Sequence, residues 1–204
     1  IDAAQNIYVA GQFAGTNTFG TTELRASGET NFFIAKMNNS GTAWLWARAV
    51  GGVGVDSANA LAIGTNNNVY VAGQYSGSAT FGTTALNSTG NTADIFVAKI
   101  DPNGNWLWAR SAGGAAASEA AHAMVTDGSD NVYVTGEFGG TGTFGSVNLV
   151  SVGGNDLFMA KLNTAGTWLL ARRGGGSDAD IGTGLAIDAA HQIYLVGRFT
   201  GTSD

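Results

Sequence analysis

The sequence predicts an all-β chain in which one antiparallel unit is written several times over. Three observations predict it. A strand-like decapeptide recurs, as "NIYVAGQFAG" from residue 6, "NVYVAGQYSG" from 68, "NVYVTGEFGG" from 131 and "QIYLVGRFTG" from 192. Glycine supplies 32 of 204 residues and proline one, a balance that suits many tight turns, while the Val, Ile, Thr, Tyr, Phe and Trp between them favour strands. The stretches between glycines carry no helical period and no helix caps.

The step is regular along the whole unit. Tyr8, Tyr70, Tyr133 and Tyr194 stand 62, 63 and 61 residues apart, and Gly11, Gly73, Gly136 and Gly197 follow them. Phe19, Phe81 and Phe144 sit in "TFG"; Lys36, Lys99 and Lys161 end "FIAK", "FVAK" and "FMAK"; Arg48, Arg110 and Arg172 end "WLWAR", "WLWAR" and "WLLAR". Within a unit, "ANALAIG" (58–64) turns at "TNNN" into "VYVAGQY", and a long polar segment follows. Then "DIFVAKI" turns at Asp101-Pro102-Asn103-Gly104 into "WLWARSA", with Pro fixing φ and Gly accepting a left-handed conformation. Two hairpins per unit with no crossover helix imply antiparallel pairing.

Four antiparallel strands at a fixed step are the blade of a β-propeller. A β-helix would use shorter coils, and a sandwich has no reason to repeat at this length. The expected fold is therefore a β-propeller of four-stranded blades of about 62 residues, three full blades plus a partial one. The units fall at 1–57 (partial first), 58–119, 120–181 and 182–204 (start of a fourth). Rings usually close with roughly four to eight blades. The chain is thus expected to belong to a larger propeller, or to complete a ring with another copy, because an unclosed stack leaves sheet faces bare.

The motifs "NVYVTGEF…TFG…DLFMAKLNTAGTWLLAR" resemble the bacterial SBBP-type β-propeller repeat over essentially the whole chain. The resemblance implies a propeller of a secreted or cell-surface protein and implies no single activity. The chain departs from that pattern in the length of the segment between its second and third strands.

Composition narrows the rest. The net charge of −6, with only 12% charged residues, provides no basic patch for nucleic acid. No apolar run is long enough to span a membrane, and no signal peptide is visible. The chain opens on Ile1, so it is expected to be processed or a piece of something longer. Cysteine is absent, which excludes disulfides, thiolate catalysis and cysteine metal sites.

Candidate chemistry is sparse. His122 and His191 align with no recurring nucleophile or carboxylate. "GGVGVD" has no helix after it to hold a phosphate, and reads as a turn between units. "DGSDN" and "SDAD" miss the EF-hand spacing. A tight turn at Asp101–Gly104 would set Lys99 opposite Trp106 and Arg110 opposite Ile95, placing Lys99, Trp106, Trp108 and Arg110 on one face. That set could stack on a sugar or lock one unit onto the next. Asp56, Glu119 and Asp180 share one repeat position, at the entry to the innermost strand. They read as a carboxylate ring at the channel rim, suited to calcium or magnesium, or as caps on the backbone amides of their own turns. The segments 14–31, 76–93 and 139–155 read as long loops on the same face, with Glu23, Arg25, Asn87 and Asn148 at variable positions suited to recognition.

These observations predict a non-enzymatic scaffold mediating protein–protein interaction or display, outside or on the surface of a bacterial cell. The other reading is a carbohydrate-binding propeller that uses the loop face or exposed aromatics. No cofactor is expected beyond the calcium already named. The partner is a protein, the rest of the same propeller, or a glycan.

Overall fold

In the computed structural model, which describes residues 1–201, the repeat becomes nineteen strands, with no helix among those residues. The first unit comprises β1 (Ile7–Phe13), β2 (Thr16–Phe19), β3 (Thr22–Arg25), β4 (Asn31–Met37) and β5 (Trp44–Val50). The second comprises β6 (Ser57–Ile63), β7 (Val69–Ser76), β8 (Ser78–Phe81), β9 (Thr84–Asn87), β10 (Ala93–Ile100) and β11 (Trp106–Ala112). The third comprises β12 (Ala120–Thr126), β13 (Val132–Phe138), β14 (Thr141–Phe144), β15 (Val147–Val150), β16 (Asp156–Leu162) and β17 (Trp168–Gly174). β18 (Ile181–Ile187) and β19 (Ile193–Arg198) follow.

The result is all-β, in antiparallel sheets of two to four strands. Their orders are β1-β4-β5, β6-β7-β10-β11, β12-β13-β16-β17 and β18-β19, and β2-β3, β8-β9 and β14-β15 pair separately. Three full four-stranded sheets were expected and two are found. The main sheet of the first unit has three strands, because residues 1–6 form only the turn that leads into β1. The second correction concerns the long loops. Each holds a short hairpin, turned at Gly20, Gly82 or Gly145 with φ of 60 to 64°. Its Phe docks edge-on against the first Trp of the outer strand, with Phe19–Trp44, Phe81–Trp106 and Phe144–Trp168 centroids 4.9, 5.1 and 5.5 Å apart.

Turn chemistry holds the opposite end of each sheet. Asp101 Oδ1 accepts from the amides of Asn103 and Asn105 at 2.9 and 2.8 Å. Asp2, Asp127 and Asp188 make the same pair of bonds in the turns at the other hairpin. The second unit has Gly64 at that position. It lacks this pair of bonds, and Asp130 of the following unit accepts from the Thr65 amide at 2.7 Å, as Asn67 accepts from the Ala3 amide one unit earlier.

A bulge changes the expected register of the outer hairpin. Lys99 lies opposite Trp108, Trp106 opposite Ile100 and Arg110 opposite Val97, with the shift between Lys99 and Ile100. The extra residue in β11 sends its two tryptophans to different sides. Trp106 packs on Phe32 of the preceding sheet, and Trp108 bonds to the following one. The same shift recurs in the first and third units.

Sheets stack face to face, and β10 in the second sheet is buried on both faces. Phe96, Ala98 and Ile100 meet Phe32 and Ile34 of β4, while Ile95 and Val97 meet Phe138 and Phe158 of the third unit. Phe32 and Phe96 stack with centroids 4.6 Å apart. The edge strands β6, β12 and β18 lie beside one another. Phe96→Ala should lower stability by about 3–5 kcal/mol, the usual cost of removing a fully buried ring, measured by urea denaturation. A cost below about 1 kcal/mol would show that the sheets do not depend on this contact.

Candidate functional site

The lysine, tryptophan and arginine of the first two outer hairpins form a grip on the next sheet. From the first unit, Trp46 Nε1 and Lys36 Nζ donate to the carbonyl of Pro102 at 3.0 and 3.3 Å, and Arg48 Nε donates to that of Gly104 at 2.9 Å. From the second, Trp108 Nε1 donates to the Thr164 carbonyl at 3.1 Å, Lys99 Nζ to Thr164 Oγ1 at 3.2 Å and Arg110 Nε to the Gly166 carbonyl at 2.9 Å. Each arginine also lies over its own tryptophan ring, 5.8 and 5.7 Å from the centroid. Trp46 and Trp108 are buried by this, so they offer no open platform to a sugar.

Asp56, Glu119 and Asp180 are fully buried, in the connections between sheets. Two of them cap backbone. Asp56 accepts from the amides of Gly52 and Ser76 at 2.9 and 3.2 Å, and Asp180 from those of Gly176 and Thr200 at 2.8 and 2.9 Å. Neither carboxylate oxygen of Glu119 makes a well-formed hydrogen bond, although the Gly114 amide, the counterpart of Gly52 and Gly176, still acts to lower its pKa. Among the described residues no three His, Asp or Glu side chains gather where they could hold a metal.

Each of these acids has a companion that sequence reasoning did not single out. Asn31, Asp94 and Asp156 occupy one repeat position at the start of the third main strand, and cap the amides of Ser27, Thr89 and Val152. The signal was present in the self-alignment, where an acid or its amide recurs beside an otherwise apolar strand. Burial, and next the charge of Asp94, push the Glu119 carboxyl up to about 8. Burial pushes Asp94 up to about 6 against the opposing Thr89 bonds. Asp56 is also raised by burial, opposed by its two amides.

The remaining candidates are dispersed. Glu23 and Arg25 form an exposed ion pair at 2.7 Å on the first hairpin, Asn87 is exposed on the second, and Asn148 accepts from Thr143 on the third. His122 is the bulged residue of β12 and lies 3.3 Å from Glu137, which also accepts from Asn155. His191 sits in a turn with φ of 61°. A cleft of about 430 Å³ lies among Arg48, Thr80, Asn105 and Trp106. No protein-family model matches the chain, and no curated protein matches it.

These groups give the chain a defined pH response. Raised carboxyls bind protons in the folded state that the unfolded chain releases, so stability should fall as pH rises from the ordinary 3.8–4.5 through about 6 and about 8. Asp2 acts in the other direction. Burial would raise it, but bonds from Asn6 and Lys36 hold it at about 2, so its contribution is lost as pH falls below 3.8 toward that value. Denaturant midpoints measured across this range should decline on the alkaline side, and Glu119→Gln should flatten that decline. An unchanged alkaline slope in the variant would remove Glu119 as its source.

Proposed function

We propose that the chain forms part of a β-propeller and acts as a non-enzymatic scaffold for protein–protein interaction or display in a bacterial secreted or surface protein. The grip between consecutive sheets carries the reading, together with its counterpart in the third unit, which has Leu170 in place of the tryptophan and holds no turn. Arg172 occupies the repeat position of Arg48 and Arg110, yet is exposed and bonds only the neighbouring carbonyl of Ala171 among the described residues. On β19, Tyr194 and Val196 are 52% and 63% exposed, at positions whose counterparts Tyr70 and Ala72 are buried. A further sheet of the same repeat, or a protein that presents a similar turn, fits such a face. The side-by-side edge strands support a radial arrangement. The likeness to SBBP-type repeats and the Cys-free, weakly charged composition support a bacterial extracellular setting. Among the described residues no helix is long and apolar enough to cross a membrane.

A second reading, carbohydrate binding, is favoured by the cleft that brings Trp106 together with Arg48 and Asn105. Sedimentation velocity and a glycan array separate the two. The 204 residues should self-associate with rising concentration and bind a dye for apolar surfaces, and Arg172→Glu should weaken the association. A compact monomer that binds no dye contradicts the scaffold reading. Glycan binding that disappears in Trp106→Ala would establish the second.

A further inference from the structure

One connection between sheets departs from the other two at several repeat positions, and every departure brings oxygen to the same place. Where the others carry Asp56 and Asp180, the second has Glu119. Where they carry Phe13 and Phe138, it has Tyr75. Where they carry Ala49 and Arg173, it has Ser111. The charge balance differs accordingly. The first connection pairs Asn31 with Asp56 and so holds one carboxylate. The third pairs Asp156 with Asp180, and Arg173 donates to Asp156 at 2.8 Å. The second pairs Asp94 with Glu119, and neither has an ion pair with Lys, Arg or His among the described residues.

The oxygens here are buried and lack partners. Four of the five buried side-chain atoms without a hydrogen bond among the described residues are Asp94 Oδ1, both carboxylate oxygens of Glu119 and the Tyr75 hydroxyl. Asp94, Glu119 and Tyr75 are 2%, 0% and 0% exposed. The Tyr75 hydroxyl faces Asp94 and Ser111. A cleft of about 260 Å³ lined by Thr89, Asp94, Ser111 and Thr143 opens beside Asp94. Leaving two anions and a hydroxyl unpaired in this place is costly, and natural sequences rarely keep such a group without a ligand or a function.

We propose that Asp94, Glu119 and the Tyr75 hydroxyl form a binding site for a hard divalent cation, calcium above all. Two carboxylates offset its charge, the hydroxyls add neutral oxygen donors, and the cleft has room for the waters that complete a coordination shell of roughly six to eight. No thiol or imidazole is present to favour a softer metal. Calcium suits the irregular donor set better than magnesium, which requires a near-octahedral shell. The groups facing the pair are Tyr75 from β7, Ser111 from β11 and Thr89 ahead of β10, none of them cationic.

The test uses the whole chain, freed of metal. Calorimetric melting is followed with chelator, calcium or magnesium, and terbium luminescence is excited through the aromatic side chains. Calcium should raise the melting temperature more than magnesium does. Terbium should show saturable luminescence that calcium displaces. Glu119→Gln should weaken calcium binding by about tenfold or more, and Asp180→Asn should leave it intact. If Glu119→Gln does not fold, Glu119→Asp restores the residue of the other two connections and should lose the calcium effect. Melting that is the same with chelator and calcium, or terbium binding unaltered in the Glu119 variants, would overturn the site.

Discussion

A sheet in this chain has two apolar faces, and water can be kept from them only by another sheet. β10 makes the constraint visible. Its residues alternate between Phe96, Ala98 and Ile100 on one side and Ile95 and Val97 on the other, so it has no face to turn to solvent and no reason to alternate in polarity. Stacking alone would fix the separation of sheets and not their rotation, because apolar contact is nearly non-directional. Rotation is set by the grip. Indole and guanidinium donors reach defined carbonyls in a turn whose own geometry is fixed by an Asp or Asn cap, so each sheet positions the acceptors for the one before it. The grip uses backbone carbonyls and not carboxylates, which suits a sequence with only 12% charged residues.

The repeat made the main strands legible. Inner strands expected near 58–64, 120–126 and 182–188 are found at Ser57–Ile63, Ala120–Thr126 and Ile181–Ile187, because a two-residue side-chain period and fixed turn residues leave little freedom of register. The bulges were not legible. One unpaired residue, such as Leu107, changes no composition and no spacing, yet it moves Trp106 and Trp108 to different sheets. The hairpins in the long segments were hidden for another reason. A four-residue strand such as β8, made of Ser78, Ala79, Thr80 and Phe81, is too short and polar to stand out from a loop, and it is docking of Phe81 on Trp106 that holds it. Of the candidate site, the position of Asp56, Glu119 and Asp180 was read from sequence, whereas their companions at Asn31, Asp94 and Asp156 needed the fold.

Repetition also supplies an internal standard for judging single residues. Asp56 and Asp180 define what the carboxylate at this position does when its only task is to cap a connection, since each accepts from two backbone amides. Glu119 stands in the same backbone and makes no such pair of well-formed bonds. A structural role alone would have been served by the shorter acid, which the neighbouring units retain. The same comparison applies to Tyr75 against Phe13 and Phe138, where the ring is already buried and a hydroxyl adds only a polar group to be satisfied.

Such departures carry more information when they coincide. A single exchange on a tolerant scaffold is readily absorbed as drift, but Glu119, Tyr75 and Ser111 come from three different strands or connections and meet at Asp94. Arg173 shows that the fold can place a cationic side chain against this carboxylate position when a charge is to be neutralised, and the second unit has a small hydroxyl there instead. The space and the uncompensated charge therefore arise together, from the same substitution. Stability alone gives no reason to create both, since leaving a buried carboxylate without its partner is destabilising. What distinguishes the second connection is thus a set of oxygen donors with uncompensated negative charge, within a scaffold whose other two connections show that the donors are dispensable for folding.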